Sequence, residues 1–485
     1  MIHDNLLALT ARAPLTSGLR QGDTFTPYAA LLERIARTAA GLADRGVARG
    51  DVVALLLPNS PDLFVAAHAL FALGAIAMPL SPAATPAERA ALAAKTGLRA
   101  VIAAPAARAA AEALVADVDL TATVFLAPHL PECPARTLPK LPADTPALYL
   151  FSSGSTGLPK VVPHTHGELI ADGVRTSTAW DLQPDDIAVN ILPPNFAMGF
   201  MLGTFDVVAR GATTLYWNDS LPLALSRGKL LAQMQAHKVT FMGAVPAMYD
   251  IIAAQRGETP TSLRLAFSGG AALKRPTFET VKAKFGVALR QAYGSTEAIM
   301  VAHNNSADIE ASWDSVGRPA GDAQVRLAPV ATDLGPETGE LEIKSSSLMR
   351  GYLGDAPANA QAFDGGWFRS GDLATLDAEG RIVIRGRTKL LIEVSGYKID
   401  PIEVEETLTG LTAISDVAVA GLPDSRAGNR LVAYVVKGAD ISADEILRHA
   451  RSRLSVQKVP AEIAFVEALP RSSTGKLLRA RLKDL

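Results

Sequence analysis

The sequence predicts an α/β protein: a large N-terminal domain of βα-layered parallel sheets, a small barrel-like β subdomain, and a small α+β domain at the C-terminus. Three observations carry this reading. Near-continuous apolar runs alternate with capped helical segments through residue 300. Beyond residue 320 the texture changes to short strands bounded by Gly turns. From about residue 386 onward a compact mixture of strand and helix signals returns.

Taken in order, Thr26-Pro27 opens a helix whose Leu31, Leu32, Ile35, Ala39 and Leu42 share one face before Gly46. Val52–Leu57 follows as a strand, and Ser60-Pro61 supplies the cap and first turn of the next helix. Phe64 to Leu80 is the longest apolar stretch. It holds His68 and Pro79 and falls short of the ~20 residues that span a bilayer, so it reads as a buried helix and then a buried strand, Ala75–Met78. Thr85-Pro86-Ala87-Glu88 has a capping-box pattern, and Ala100–Ile102 and Thr123–Leu126 are further strands. Five prolines within 128–145 interrupt the rhythm as a surface crossing. A second βα set runs over 146–300, and Gly339–Ile343 and Gly380–Ile384 are short strands. At the end come strands at Val417–Val419, Leu431–Val436 and Ile463–Val466, with a helix from Ser442 to Leu454.

A chain of 485 residues exceeds the size at which one core stops growing, so more than one domain is expected. A formal net charge of −2 with 20% charged residues carries no electrostatic footprint for nucleic acid or an anionic membrane. Small molecules are the expected partners. Cys133 is the single cysteine, which excludes an internal disulfide and a thiol metal cluster and suits a cytoplasmic setting. The start, Met1-Ile2-His3-Asp4, lacks the pattern of a secretory peptide.

The most informative segment is Leu148–Lys160, where an apolar strand runs into Ser152, Ser153, Gly154, Ser155, Thr156, Gly157, Leu158, Pro159 and Lys160. Gly154 and Gly157 permit positive φ and close backbone approach, so N–H groups, hydroxyls and the lysine converge on phosphate oxygens. A flexible linker would not be fused to an apolar strand on one side and Val161-Val162-Pro163-His164 on the other. Pro159 and Val161 depart from a Walker P-loop, which disfavours an ordinary ATPase.

Four later segments have the same chemical character: Tyr293-Gly294-Ser295-Thr296-Glu297, Arg369-Ser370-Gly371-Asp372-Leu373, Gly386-Arg387-Thr388-Lys389 and Pro470-Arg471-Ser472-Ser473-Thr474-Gly475-Lys476. Together with the phosphate loop, in order and approximate spacing, they resemble the acyl-activating adenylate-forming superfamily: acyl- and aryl-CoA ligases, carrier-protein adenylation domains and beetle luciferases. The resemblance covers nearly the whole chain. It implies activation of a carboxylic acid with ATP and Mg²⁺, then transfer to the thiol of CoA as co-substrate. Attack of a carboxylate on the α-phosphate brings two anions together, so the site needs cations and aligned donors.

By this resemblance the 152–160 loop holds the β and γ phosphates, Thr296 touches the α-phosphate, and Glu297 binds Mg²⁺, a hard cation suited to carboxylate and phosphate oxygens. Tyr293, with Gly269, Gly270, Gly294 and Ser295, lines the nucleotide site; Asp372 accepts the ribose hydroxyls and Arg387 contacts ribose or phosphates. Lys476 reaches the carboxylate and α-phosphate. The implied division is an N-terminal domain 1–386, a hinge 387–389 centred on Lys389, and a small mobile C-terminal domain 390–485. In the second conformation Ser395, Gly396, Tyr397 and Lys398 form the CoA channel. Val161, Leu390 and Glu393 depart from the usual residues and bear on hinge energetics and CoA recognition.

The acid pocket implied by the resemblance lies against Leu192–Phe200, where Phe196 replaces the histidine of many fatty and short-chain ligases. Phe196, Ala197 and Gly199, followed by Gly211–Thr214, are similar to benzoate-type aryl-CoA ligases, so the expected acid is benzoate, an aminobenzoate or a hydroxybenzoate. A flat slot is expected between Phe196 and the Ser268–Ala271 turn, with Phe200, Ala244, Ile299, Met300 and His303 as neighbours; core packing is the competing reading for each. The alternatives are a medium-chain acyl-CoA ligase and a stand-alone enzyme loading a carrier protein. A non-catalytic nucleotide sensor is disfavoured because Lys476, Glu297 and Asp372 are all present. Monomer and homodimer remain open.

Overall fold

The computed structural model describes residues 2–10, 14, 16–81, 86–117, 123–152, 159–257, 259–330, 334–390, 392–394, 397–424, 428–454, 456–471 and 477–485. The chain forms two compact units, Met1–Gln324 with Ile343–Phe368, and Val325–Glu342 with Arg369–Leu485.

In the first unit the predicted βα rhythm is realised as two mainly parallel sheets. One has six strands in the order Thr123–Leu126, Leu98–Ala103, Val52–Leu56, Ile76–Pro79, Pro146–Ser152, Lys160–Thr165, and only the last pair is antiparallel. Alternate residues of its strands enter different cores. Val53, Leu55, Ala77, Ile102 and Leu148 pack with helix Pro61–Leu73 on one face, while Val52, Ala54, Leu56, Met78 and Val101 pack with Leu92 and Leu114 on the other. Burial on both faces explains why these strands read as unbroken apolar runs. Ser60 caps Pro61–Leu73 as expected, accepting from the Leu63 N–H at 3.2 Å, and Gly74 closes the helix in the left-handed region. Among the described residues no helix is long and apolar enough to cross a membrane.

The second sheet has nine strands. Its parallel centre runs Leu289–Ser295, Leu265–Ser268, Phe241–Ala244, Ile187–Asn190, Thr213–Tyr216, Gly18–Gln21. Ile299–His303 pairs antiparallel with Leu289–Ser295 towards one edge, and Thr24–Pro27 forms the other. Here the structure differs from the local reading. Thr26-Pro27 ends a strand, and the helix begins one residue later as Tyr28–Asp44. The prolines of 128–145 carry neither helix nor strand; the segment crosses helix Tyr28–Asp44, with the Pro131 carbonyl where a side chain at Gly41 would go and the Cys133 N–H donating to the Arg37 carbonyl.

The short strands Gln324–Pro329, Gly339–Lys344, Trp367–Leu376 and Ile382–Arg387, most of whose residues belong to the second unit, share one sheet. The C-terminal α+β part has a sheet of Ile414–Asp424, Gly428–Lys437 and Glu462–Phe465. Helices Pro401–Thr409 and Ala443–Arg451 cover one face of it through Val404, Leu408, Ile446 and Ala450. Ser442 and Glu445 form a reciprocal capping box at the start of the second helix.

Candidate active site

In the first unit, the motif residues gather where parallel strands of the nine-stranded sheet end. Asn190, Ala244, Ser268 and Ser295 are the last residues of four strands, and the segments after them carry Phe196, Gly269, Gly270 and Thr296. Open α/β sheets bind ligands at such carboxyl ends because the loops there are free of the hydrogen-bonding ladder.

The Tyr293–Glu297 motif is a tight antiparallel reversal. Gly294 faces Met300 and Ser295 faces Ile299 across the hairpin, with a register shift at Tyr293/Gly294. A Cβ at Gly294 would overlap the Ile299 carbonyl, and Ile299 itself has φ 55°, a strained position for a β-branched residue. Surrounding contacts hold that strain. Ser295 Oγ accepts from the Ala298 N–H at 3.2 Å, and Nε2 of His164 lies 2.8 Å from the Thr296 carbonyl, so the imidazole carries its proton there and donates.

A buried ion pair braces the same hairpin. Arg175 and Asp172, on helix His166–Ala179, are bonded at 2.6 Å with side chains only 3% and 1% exposed. Arg175 Nη2 also donates to the Met300 carbonyl at 2.7 Å, and Asp172 accepts from the Met300 N–H at 3.1 Å. Ser347, bonded to Arg175, donates to the Ala298 carbonyl at 2.9 Å. Burial pushes Asp172 up to about 6 against the opposing pull of Arg175. Burial, reinforced by the Asp172 charge, drives the neighbouring Asp206 carboxyl well above the usual carboxylate range.

Glu297 is nearly buried, with one carboxylate oxygen accepting from the Tyr352 hydroxyl at 2.9 Å. Burial, then the Glu297 charge, pushes the Tyr352 hydroxyl far above its ordinary range, so it stays protonated and donates. Lys160 follows the phosphate loop on strand Lys160–Thr165, opposite Ser152, and its ammonium sits 4.3 Å from the Tyr352 ring centroid. Ser153, Gly154, Ser155, Thr156 and Gly157 lie outside the described residues, as do Ser395, Gly396 and Lys476. A single carboxylate donor fits Mg²⁺, which binds through one or two carboxylates plus substrate phosphates. Among the described residues no cluster of three or more His, Cys, Asp or Glu could hold a metal ion by itself.

In the second unit, Asp372 and Arg387 face each other directly across two antiparallel strands, with Arg387 Nε donating to Asp372 Oδ1 at 2.6 Å. The Ser370 hydroxyl fixes the turn, accepting from the Asp372 N–H at 3.0 Å and donating to the Leu341 carbonyl at 2.6 Å. Lys389 lies in the short turn Thr388–Leu390, and Tyr397 and Lys398 begin the strand Tyr397–Ile399.

The acid-pocket residues divide. Phe196 and Ala197 remain half-buried at the start of the short helix Ala197–Met201. Phe196 does lie beside the glycine turn: its Cζ would be 3.0 Å from a Cβ placed on Gly270. Gly199 is required by close packing, because a side chain there would meet the Pro193 carbonyl. Phe200 is fully buried in the core with Phe71, Phe205 and Leu148. Ala244 and Ser268 are buried at their strand ends, and Ile299 and Met300 pack into two separate cores. His303 is buried beside Trp180, ring centroids 6.2 Å apart. Burial, with a smaller effect of Arg290, holds it down to about 3. It is therefore a neutral core histidine. Sequence reasoning assigned no role to Tyr352, His164, Asp172 or Arg175; Arg350-Gly351-Tyr352 and Pro163-His164 offered only a polar or aromatic residue beside a chain-bending one.

Comparison with known proteins agrees with these features. The AMP-binding enzyme family model matches residues 10–353, and the AMP-binding enzyme C-terminal domain matches 403–476. A feruloyl-CoA synthase of Amycolatopsis sp is 33% identical over 491 residues, covering 97% of this chain and 96% of that protein. The 2-succinylbenzoate–CoA ligase of Bacillus subtilis (strain 168) is 29% identical, covering 98% and 97%. The structure of o-succinylbenzoate coenzyme A synthetase from Bacillus subtilis in complex with ATP and magnesium superposes with a TM-score of 0.87 at 27% identity, covering 99% of each chain. Family match and near-complete coverage lead to one conclusion: the chain belongs to the AMP-binding enzyme family and is an ATP-dependent acid–thiol ligase that works through an acyl-adenylate.

Proposed function

We propose that this ligase activates a small aromatic acid, benzoate or an amino- or hydroxybenzoate, and transfers it to CoA. Phe196 carries the reading: its half-buried ring lies beside the Gly270 backbone at the strand-end edge, an apolar flat rim suited to a flat apolar acid. Two relatives named for feruloyl-CoA and 2-succinylbenzoate support an aromatic substrate.

In this scheme a carboxylate oxygen attacks the α-phosphorus of ATP, the bond to the bridging oxygen breaks, and pyrophosphate leaves. The thiol sulfur then adds to the acyl carbonyl and AMP departs. Lys160 and the 152–157 loop hold the β and γ phosphates, Thr296 the α-phosphate, and Asp372 with Arg387 the ribose. Tyr293 lines the adenine site. Glu297 would hold Mg²⁺, which offsets phosphate charge when bound. Lys476 meets the carboxylate and α-phosphate. Rotation about 387–389 of a domain 390–485 then brings Ser395–Lys398 to the thiol arm.

The test is a panel of benzoate, 2-aminobenzoate, 2-hydroxybenzoate, phenylacetate, hexanoate and octanoate with ATP, Mg²⁺ and CoA, followed by mass spectrometry of thioester and AMP. A higher kcat/KM for an aromatic acid is the expected result. Preference for hexanoate or octanoate would overturn the aromatic assignment, and pyrophosphate release without thioester would move the acceptor to a carrier protein. Lys476→Ala should cut acyl-AMP formation about 100- to 1000-fold while sparing thioester formation from supplied acyl-AMP.

A further inference from the structure

We propose that Tyr352 is a positioning residue that sets both the Mg²⁺-binding carboxylate and the phosphate-binding lysine. The inference rests on the roles assigned above to Glu297 and Lys160. Two elements of the nucleotide site meet on this one side chain. Its hydroxyl donates to Glu297 Oε1 at 2.9 Å. The face of its ring lies under the Lys160 ammonium at 4.3 Å.

The backbone is built to hold the ring there. The Met349 N–H donates to the Glu297 carbonyl at 2.8 Å, and the Leu353 N–H donates to the Val161 carbonyl at 3.0 Å. The segment 349–353 thus straps the Tyr293–Glu297 motif to the strand that follows the phosphate loop. Asn359 clasps Tyr352 from behind: its Oδ1 accepts from the Tyr352 N–H at 2.6 Å and its Nδ2 donates to the Tyr352 carbonyl at 3.0 Å. Gly351 has φ 145°, and a Cβ there would press on Asn359, so the chain can turn into this clasp only with glycine.

A tyrosine serving only the core would need neither a carboxylate nor a cation. Here the hydroxyl fixes the orientation of one charged ligand and the ring offers a site for the other, so both groups are preorganised before nucleotide binds. Outer partners of metal ligands act in this way, and their removal costs about 10- to 100-fold in metal affinity.

The experiment measures ATP binding by calorimetry to the full-length protein without acid substrate, in Mg²⁺ or in EDTA. Wild type should bind ATP more tightly with Mg²⁺, and Glu297→Gln should lose that tightening. Tyr352→Phe keeps the ring and removes the hydroxyl. It should match wild type in EDTA and lose about tenfold of the Mg²⁺ effect. Tyr352→Leu should in addition weaken binding in EDTA by roughly threefold or more, through loss of the cation–π contact. Asn359→Ala leaves the Tyr352 side chain intact and should shift the Mg²⁺ effect in the same direction by less. The proposal is overturned when wild type and Glu297→Gln behave as stated while Tyr352→Phe shows the full wild-type Mg²⁺ effect. Retention of the Mg²⁺ effect by Glu297→Gln would overturn the assignment of Glu297, and this inference with it.

Discussion

Two aspartate–arginine pairs, one in each unit, have the same length and opposite situations. Asp172–Arg175 and Asp372–Arg387 both close to 2.6 Å, yet the side chains of the first are 1% and 3% exposed and those of the second 9% and 43%. The first pair spends its donors on the protein: the Met300 backbone, Ser347 and Asp322. The second presents a nearly half-exposed guanidinium. The contrast teaches that pair geometry alone does not mark a ligand site. Burial decides, because a sealed pair can only brace the chain, whereas an exposed one can exchange water for substrate.

The strongest way to break this comparison is Arg175→Met, which strands Asp172 in the interior beside Asp206. Loss of one partner of a buried pair should lower stability by about 3–5 kcal/mol, read from the shift of the urea midpoint. A loss below about 1 kcal/mol would place the pair with ordinary surface bridges. Arg387→Met should behave differently: stability within about 1 kcal/mol of wild type, with KM for ATP raised roughly tenfold through loss of a charged hydrogen bond. Unchanged KM would remove Arg387 from the nucleotide site.

The smallest effect sharpens the comparison through pH. His303 is held by burial at about 3, below its ordinary value of 6.5. Between those values the unfolded chain binds the proton and the folded chain does not. The stability associated with its neutral form is therefore complete above pH 6.5 and declines as pH falls toward 3. His303→Leu should flatten the acid limb of the stability profile, by at most about 1.4 kcal/mol per pH unit, with little change in slope above pH 7. An unaltered acid limb would mean that His303 is protonated in the fold.

Much of this architecture was legible locally. Ser60 capped its helix, and the doubly buried strands Val52–Leu56 and Ile76–Pro79 announced themselves as apolar runs, because capping and burial leave marks within a few residues. The motif residues were likewise readable as short strings rich in glycine and hydroxyl groups. The reading of neighbours stayed open. For Phe200 and His303 an acid pocket and core packing competed in the sequence, and both side chains are buried, Phe200 in a core with Phe71 and Phe205, and His303 beside Trp180. An aromatic residue or histidine looks the same in sequence whether it lines a pocket or fills a core.

The sequence by itself determined the order of the chemistry and the strands and helices that carry it, since hydrophobic period, caps and glycine turns act over one or two turns of chain. Only the tertiary structure decided which side chains meet. Tyr352 reaches Glu297 across 55 residues of chain, and Arg175 reaches Met300 across 125. Such contacts depend on how separate elements close on one another, and no local propensity encodes that closure.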